Sequence, residues 1–482
     1  MLKSMNATDS ILKKPTKYFI IFAAIIYLTV IFFNDGFMAL DEYFVGITRY
    51  IPAQNSSVHS LVNPDDVKSP LQILPMHGVA QAAYALGVTS PYWQYRSVIF
   101  VLGILNFLVL LYAFLRLAET LRFDIRRQNF LLLMFALYFG APFALTRPMF
   151  ESIAAPWLAL AAVWALRYDL NGRTKDLLWG VVFVSIAFVL RQQLGFCALT
   201  FVILPILKKK YKQFLFAAAL GLGLLLIAGI PDYFLRGQFH YSLLNLTIYN
   251  YQHGAEYGQK PITFYPILIF IICFTPFFFA RYPEGFVKKQ FKTFRSIWLF
   301  VILFIVLHSL FPQKWERFVI SLVPLFIIMA LPFLFQLHEN FQKHRLRLIL
   351  LYAVNGFLFF IASFFPPQKN LIEASRFLDQ NPQIKMVHRV NDTPGWITEA
   401  FILNKQFSFV EATHESLQTV NWRDCSQSLL IGAFDLPQFT DVTRNLNLKA
   451  EFNVNLIEQL AYKTNPKNNQ RRVQLSLFTG CQ

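Results

Sequence analysis

The chain has 482 residues, of which 55% are hydrophobic, 17% aromatic and only 15% charged, and its formal net charge is +17. This composition is too apolar for a water-soluble globular protein and predicts a polytopic membrane protein. The aromatic residues lie within apolar runs and are not interleaved with Lys and Arg, so the positive charge does not indicate a nucleic-acid-binding surface. The four cysteines are too few for a disulfide scaffold.

Eleven apolar runs predict transmembrane helices, since a helix that spans a bilayer needs about 20 mostly apolar residues. The first run lacks a small-residue cleavage site, so it is predicted to be an uncleaved span rather than a signal peptide. The predicted spans begin near Tyr18, Ser97, Phe130, Ser152, Leu177, Gly195, Phe214, Thr263, Ser296, Phe318 and Leu348.

Basic residues are distributed along the chain in a way that predicts the orientation of these spans. Every second connection holds a cluster of Lys and Arg, such as Lys208, Lys209 and Lys210, whereas the connections between them hold isolated cations. Because positively charged loops stay on the cytoplasmic side, the amino terminus is predicted to lie inside and the carboxyl terminus outside. We therefore predict a multi-pass integral membrane protein, of a bacterial inner membrane with its site facing the periplasm or, in a eukaryote, of the endoplasmic reticulum membrane.

The composition changes after Pro366, where apolar runs give way to mixed polar sequence. We therefore predict a transmembrane domain over residues 1–365 and a small soluble domain over residues 366–482 on the outer side. Cys425 and Cys481 lie in this second domain and could pair on the oxidising side of a membrane. The domain could recognise an acceptor or form a structural lid. An α/β arrangement is predicted because β-type runs at 384–390, 428–433 and 473–478 alternate with helical patterns at 371–378, 396–403 and 455–462.

Two adjacent carboxylates, Asp41 and Glu42, follow the first predicted span. A charged side chain beside hydrocarbon is costly unless it faces water, a partner or a reaction, so an acid at a membrane boundary is a candidate functional residue. The alternative is that these acids only mark the end of a helix in the headgroup region.

Two predicted outside loops are long, residues 34–96 and 232–262, and loops longer than about 15 residues are usually functional or disordered. A single cation in an outside turn can be explained by snorkelling to lipid headgroups. Several cations on the face that carries a carboxylate pair indicate instead a pocket for an anion, and the planar fork of arginine suits phosphate. The short outside turns contain Arg147, Arg191, Lys314 and Arg317.

Several segments in order along the chain carry a family resemblance. Ala39-Leu40-Asp41-Glu42 is similar to a His-Pro-Asp-Glu motif, and Lys68-Ser69-Pro70 to a later Arg-Ser-x-x-x-Pro segment. Thr146-Arg147 and Leu190-Arg191 are similar to two charged turns, and Pro312-Gln313-Lys314-Trp315-Glu316-Arg317-Phe318 to Pro-His-Lys-Glu-Glu-Arg-Phe. The second long loop matches at Asp232, Tyr233, Phe234, Gly237, Asn245, Asn250, Tyr257, Gly258 and Pro261. The chain thus resembles the Alg9-like mannosyltransferases, glycosyltransferase family 22 of the GT-C superfold.

The resemblance implies an α-helical polytopic membrane protein of GT-C type, with about 11 transmembrane helices and the small soluble α/β domain after them. The domain over residues 1–365 is then catalytic. It transfers mannose or another hexose from a polyprenyl-phosphate-linked donor to an acceptor hydroxyl on the outer face, with inversion. The implied partners are membrane lipid, the donor, and a glycan, glycolipid or protein acceptor, with no nucleic acid. No cofactor or metal is expected, because a phosphate leaving group needs its charge neutralised rather than a proton.

The resemblance also assigns roles to residues. Asp41 is the predicted general base, and Glu42 orients it or contacts the sugar. Arg317 and Lys314 are the first predicted ligands of the donor phosphate, and Arg147 and Arg191 the second. The predicted substrate-binding residues are Lys68, His77, Asp232, Arg236, Tyr257, Lys260 and Glu316.

Two alternatives stay open at this point. A flippase or transporter of polyprenol-linked sugars would typically show paired internal repeats and charges at the bilayer midplane. The sequence shows no such repeat, and its charges collect at one interface. A transferase of the same superfold could also use another sugar or move a whole oligosaccharide.

Overall fold

The computed structural model describes residues 14–39, 42, 51, 68–254, 256, 258–390, 401–402, 407–466, 469 and 472–481. These residues fall into two compact units. The first comprises the described parts of Met1–Ile31, His59–Pro75 and Ile99–Phe360, and the second those of Phe32–Val58, Met76–Val98 and Ile361–Gln482.

Helices dominate the chain as far as Phe364. Apolar runs form helices in hydrocarbon because every backbone polar group must find its hydrogen-bond partner within the protein. In chain order the described helices are α1 (Lys14–Phe33), α2 (Pro70–Ala85), α3 (Pro91–Thr120), α4 (Ile125–Leu137), α5 (Ala141–Leu145), α6 (Phe150–Asn171), α7 (Thr174–Leu190), α8 (Gly195–Leu207), α9 (Tyr211–Arg236), α10 (Tyr241–His253), α11 (Phe264–Ile272), α12 (Thr275–Phe278), α13 (Phe286–Thr293), α14 (Arg295–Ser309), α15 (Val323–Glu339) and α16 (Phe341–Phe364). Two 3-10 turns, Gln192–Leu194 and Glu316–Leu322, precede α8 and α15.

Six helical stretches of the described chain are long and apolar enough to span a membrane, or seven if the bent pair α13 and α14 forms one span. This confirms a multi-pass membrane protein. Each of the eleven predicted spans begins at or near one of the described helices, but α4, α7, α8, α11, α14 and α15 contain fewer than 18 residues. Of these, α14 reaches the length of a span only together with α13, and α15 only together with the 3-10 turn Glu316–Leu322. Eleven spans therefore stays a prediction.

Local sequence explains where the short helices stop. Asp124 caps the start of α4 by accepting a hydrogen bond from the N–H of Arg127 at 2.8 Å, and the backbone is extended at Tyr138 just beyond the end of the helix. Helix α11 stops before Phe274, whose left-handed backbone (φ 53°) cannot continue it. Helix α9 continues to Arg236, so the first residues of the predicted loop 232–262 are helical, and α10 lies within the same segment.

Helix α6 is largely buried and packs against α7, α14 and the 3-10 turn Glu316–Leu322. Its buried face is rich in alanine, including Ala154, Ala155 and Ala162. Small side chains let helices approach closely in a membrane, where dispersion contacts replace the hydrophobic effect between apolar surfaces. The first turn of α6 is therefore held firmly between these elements.

The second unit contains a sheet of five described strands: β1 (Met386–Arg389), β2 (Ser408–Glu411), β3 (Gln427–Gly432), β4 (Asn447–Phe452) and β5 (Leu475–Thr479). Their order is β2-β1-β3-β5-β4. Strand β1 pairs parallel with β2 and β3, whereas β5 pairs antiparallel with β3 and β4. Strands β1, β3 and β5 correspond to the three predicted runs, and the α/β character is present. Most of the predicted helix 396–403 lies outside the described residues.

Short helices accompany the sheet, namely α17 (Lys369–Gln380), α18 (His414–Gln418), α19 (Thr440–Thr443) and α20 (Leu456–Thr464). A disulfide joins Cys425, just before β3, to Cys481, just after β5. The two cysteines that could pair by sequence are therefore paired.

Replacing both Cys425 and Cys481 with serine is expected to lower the free energy of unfolding of this unit by about 2–4 kcal/mol. The crosslink closes a segment of 56 residues and so restricts the unfolded chain. Thermal unfolding and limited proteolysis of the purified chain measure the loss. A Cys273→Ala variant, which keeps the disulfide, is the control, and equal protease resistance of both variants would contradict the expectation.

Candidate active site

The turn that leads into α6 carries Arg147 and is fixed by hydrogen bonds. Thr146 Oγ1 donates to the carbonyl oxygen of Pro142 at 2.7 Å, and Asn106 Nδ2 donates to that of Leu145 at 2.8 Å. The backbone just before Arg147 is thus held in place, and its side chain is 0% exposed. A guanidinium at this depth has been removed from water, which makes its interactions with any anion strong.

Glu151, in the first turn of α6, brings two of the predicted cations together. Its Oε1 lies 2.8 Å from Arg191 Nη2 and 3.9 Å from Arg317 Nε. The side chain of Glu151 is only 5% exposed. A carboxylate is favourable in the first turn of a helix because the helix dipole is positive there. Two charged turns that are far apart in sequence therefore meet at one buried carboxylate.

The ring of Phe318 contacts the same two guanidinium groups. The guanidinium carbon of Arg191 lies 4.9 Å from the ring centroid, and that of Arg317 lies 5.4 Å away. Both distances allow a cation–π interaction, which is stronger where water is excluded. Ser321 anchors the 3-10 turn that carries Phe318 by donating to the carbonyl oxygen of Glu151 at 3.0 Å.

Aromatic residues of α11 and α14 stand beside this turn. Tyr265 is fully buried, and its hydroxyl accepts a hydrogen bond from the backbone N–H of Trp315 at 3.3 Å. His308 is buried with its ring stacked on Phe304, 3.9 Å between centroids. These contacts fix the chain just before Arg317.

The Lys314 ammonium faces backbone carbonyls. Its Nζ donates to the carbonyl oxygens of Lys260 at 2.9 Å and of Phe311 at 2.5 Å, and burial lowers its pKa. Lys260 in turn pairs with Glu316 (Nζ to Oε1 2.7 Å), whose side chain is 58% exposed. Lys314 therefore joins the segment before Glu316 to the segment that carries Lys260.

Replacing Lys314 with methionine is expected to lower stability by about 1–3 kcal/mol, because the carbonyls of Lys260 and Phe311 lose the donor that this buried side chain supplies. We expect donor binding to change by less than tenfold. Thermal unfolding in detergent and a donor titration measure the two effects. The exposed Lys289→Met variant is the control, and a large loss of donor affinity with unchanged stability would show that Lys314 contacts the donor itself.

A second group of predicted residues clusters where α9 and α10 meet. Asp232 accepts hydrogen bonds from the N–H of Ser242 (3.0 Å) and from its hydroxyl (2.5 Å). Arg236 Nη1 lies 3.7 Å from Asp232 Oδ1, and its Nη2 donates to the carbonyl oxygen of Lys68 at 2.8 Å. The cluster therefore ties the segment at Lys68 to the end of α9.

Two predicted site residues lie in the second unit. Glu42 is 1% exposed, and its Oε1 accepts a hydrogen bond from the N–H of Met38 at 2.9 Å. The imidazole of His77 lies 3.3 Å from the side-chain amide of Gln81, one turn further along α2. Two predicted residues, Asp41 and Tyr257, lie outside the described residues.

Sequence reasoning assigned no site role to Glu151, Gln192 or His240. A signal for Glu151 exists, since it is the acid at the start of an otherwise apolar predicted span, and an acid at such a position is a functional candidate. Gln192 and His240 carry no comparable signal in the sequence, because the groups that they meet depend on the tertiary fold.

The arrangement can neutralise an anion. A guanidinium has five N–H donors, so one that pairs with a carboxylate can also donate to a second oxyanion. In the described part of the chain, no group of three or more His, Cys, Asp or Glu side chains is placed to hold a metal ion.

Comparison with known proteins agrees with this picture. A sequence model of the Alg9-like mannosyltransferase family matches residues 63–402, which is more than half of the chain and begins after Asp41 and Glu42. The crystal structure of ArnT from Cupriavidus metallidurans bound to undecaprenyl phosphate is similar, with a TM-score of 0.60 and 10% identity over 97% of this chain and 98% of that one. ArnT in the apo state gives a TM-score of 0.58 and 11% identity, covering 97% and 99% of the two chains. ArnT is a GT-C glycosyltransferase, so this likeness shows the GT-C fold. No curated protein matches the sequence.

Proposed function

This chain belongs to the Alg9-like mannosyltransferase family, and we propose that it transfers mannose, or another hexose, from a polyprenyl-phosphate-linked donor to an acceptor hydroxyl on the outer face of the membrane. The family and the GT-C fold make it a glycosyltransferase and favour an enzyme over the flippase alternative. The undecaprenyl phosphate bound to ArnT supports a polyprenyl phosphate as the leaving group.

The observation that carries this proposal is the meeting of Arg191 and Arg317 at Glu151. Negative charge grows on the phosphate as its bond to the sugar breaks, and preorganised cations in a buried site stabilise such charge without reorganising. The planar guanidinium group of arginine can donate two parallel hydrogen bonds to the oxygens of one phosphate. We assign Arg191 and Arg317 to the donor phosphate, with Arg147 as a third cation, and Glu151 as the residue that positions the two forks.

Lys314 takes a different role in this proposal. Its ammonium donates to two backbone carbonyls, so it positions the segment before Arg317 rather than gripping the donor. Asp232 and Arg236 likewise hold α9, α10 and Lys68 together. The ion pair of the half-buried Lys260 and the exposed Glu316 is suited to contact an acceptor or lipid headgroups.

The reaction is a single displacement. The acceptor hydroxyl oxygen forms a bond to the anomeric carbon, the bond from that carbon to the phosphate oxygen breaks, and polyprenyl phosphate leaves with the electron pair. The hydroxyl proton goes to a base, for which Asp41 is the candidate by its motif, with Glu42 beside it in sequence. One displacement inverts the anomeric configuration, and the step needs no cofactor.

The test is transfer by the purified chain in proteoliposomes. Radiolabelled undecaprenyl-phosphate mannose and the corresponding glucose lipid are offered with a membrane extract as the source of glycan, glycolipid or protein acceptors. We expect the label of one donor to move to a product that separates from the donor. Movement of intact donor across the bilayer without transfer would support a flippase and contradict the proposal.

A further inference from the structure

A small polar cavity in the first unit lies beside the turn that carries Arg191. Its polar lining comes from Ser69, Gln192, Asp232 and His240. The volume is about 20 Å³, which is room for one water-sized group. The cavity can therefore take a single hydroxyl, but not a sugar ring or a phosphate.

Two side chains leave polar atoms buried here. Gln192 Oε1 and His240 Nε2 are buried and have no hydrogen-bond partner among the described residues. A buried polar atom that lacks a partner is costly, so such atoms usually indicate a bound water or a ligand group. Asp232 is engaged with Ser242 and holds the wall of the cavity in place.

The sequence places the imidazole at this cavity at a conformational cost. His240 has a left-handed backbone, φ 54° and ψ 29°, which a non-glycine residue adopts unfavourably. Gly229 on α9 makes room for the ring, because a Cβ at that position would lie 2.7 Å from His240 Cδ2 and Nε2. Strain of this kind clusters at ligand sites, where it fixes a recognition group in position.

The cavity shares Phe188 and Val189 with a larger apolar cleft of about 300 Å³. Parts of α7, α8 and α9 form the cleft, and Gly195 and Gly221 are among the residues that line it. Along α7 it extends from Val189 to Val181, about 12 Å at the rise of a helix. The two spaces together fit a molecule that carries a hydroxylated group next to a hydrocarbon chain.

We infer that this cavity recognises one sugar hydroxyl of the lipid-linked donor, while the isoprenoid chain occupies the cleft. The hydroxyl donates a hydrogen bond to Gln192 Oε1 and forms a second hydrogen bond with His240 Nε2. The inference rests on the proposed function, which supplies a lipid-linked sugar as the ligand. Continuity with the apolar cleft favours the donor over a soluble acceptor. Gln192 and His240 are thus residues that determine sugar specificity.

The test measures binding of lipid-linked sugars to the full chain in nanodiscs. The probes are undecaprenyl-phosphate mannose, the corresponding glucose lipid, their monodeoxy analogues and undecaprenyl phosphate itself. We expect the wild type to bind one deoxy analogue about tenfold more weakly than its parent, since a cavity built for a hydroxyl is left with unpaired groups. Gln192→Leu should remove that difference, whereas Gln193→Leu, the neighbour outside the cavity, should keep it.

His240→Phe provides a second variant, whose folding is checked by thermal unfolding. Three results would overturn the inference. The first is equal binding of all analogues by the wild type. The second is a loss of affinity in Gln192→Leu that is as large for undecaprenyl phosphate as for the sugar lipids. The third is a change in the stability of the variants with no change in binding, which would indicate a structural water only. Transfer is assayed in the same preparation. Hydroxyl discrimination without transfer would contradict the proposed function alone, and transfer without discrimination would overturn the cavity assignment alone.

Discussion

Replacing Arg191 with alanine is expected to lower kcat for sugar transfer by about 10²–10³-fold, the usual effect of removing one preorganised group that stabilises developing negative charge. Arg191 lies 2.8 Å from Glu151 and faces the ring of Phe318, so its guanidinium is fixed in position in surroundings of low dielectric constant. Alanine removes this positioned charge. Initial rates with saturating and limiting donor measure kcat and KM separately. Arg191→Lys should recover only part of the rate, because an ammonium keeps the charge but not the planar fork.

Gln193→Ala, two residues further along the same turn, is the control for Arg191→Ala and should transfer sugar at the wild-type rate. Thermal unfolding of each variant separates a catalytic defect from a folding defect. If Arg191→Ala retained its wild-type kcat while its unfolding temperature fell, the guanidinium would serve only to neutralise Glu151.

Replacing Asp41 with asparagine is expected to lower kcat by about 10²–10⁴-fold, the usual contribution of a general base. Asparagine keeps the size of the side chain but cannot take the proton of the acceptor hydroxyl. Donor binding in the absence of acceptor should stay near the wild-type value. Transfer and donor binding are measured on the same purified variant.

Asp35→Asn is the matched control, because the Asp35 carboxylate accepts a hydrogen bond from Tyr92 at 3.0 Å and has a structural contact of its own. We expect its turnover per folded molecule to match the wild type. Turnover at the wild-type level by Asp41→Asn would show that Asp41 is not the general base. The acidic pair would then only mark the end of a helix.

The charged turns could be predicted from sequence because a cation stands out within apolar residues. Their partner could not, since Glu151 meets Arg191 and Arg317 only after α6, α7 and the 3-10 turn Glu316–Leu322 pack together. Residue type alone also could not distinguish the role of Lys314 from that of Arg317. Both are cations in one short turn, but Lys314 donates to backbone carbonyls and Arg317 approaches a carboxylate.

In the sheet, too, some strands could be predicted from the sequence and others could not. Strand β3 was predictable because Leu429, Leu430 and Ile431 form a short apolar run and are buried, as expected of a central strand. Strands β2 and β4 are mostly exposed, and β4 carries charged residues, so neither gives the pattern of a half-buried strand. Their places depend on pairing with β1 and β5, which are distant in sequence.

The strand order β2-β1-β3-β5-β4 also bears on how this unit is made. Strand β5 is the last of the five in chain order, yet it lies between β3 and β4 and pairs with both. A ribosome releases β3 and β4 first, so both keep an unpaired edge until β5 emerges, and unpaired edges invite aggregation. Completion of the sheet is therefore a late event in biosynthesis. Once β5 has been inserted, the disulfide between Cys425 and Cys481 links the segment before β3 covalently to the segment after β5.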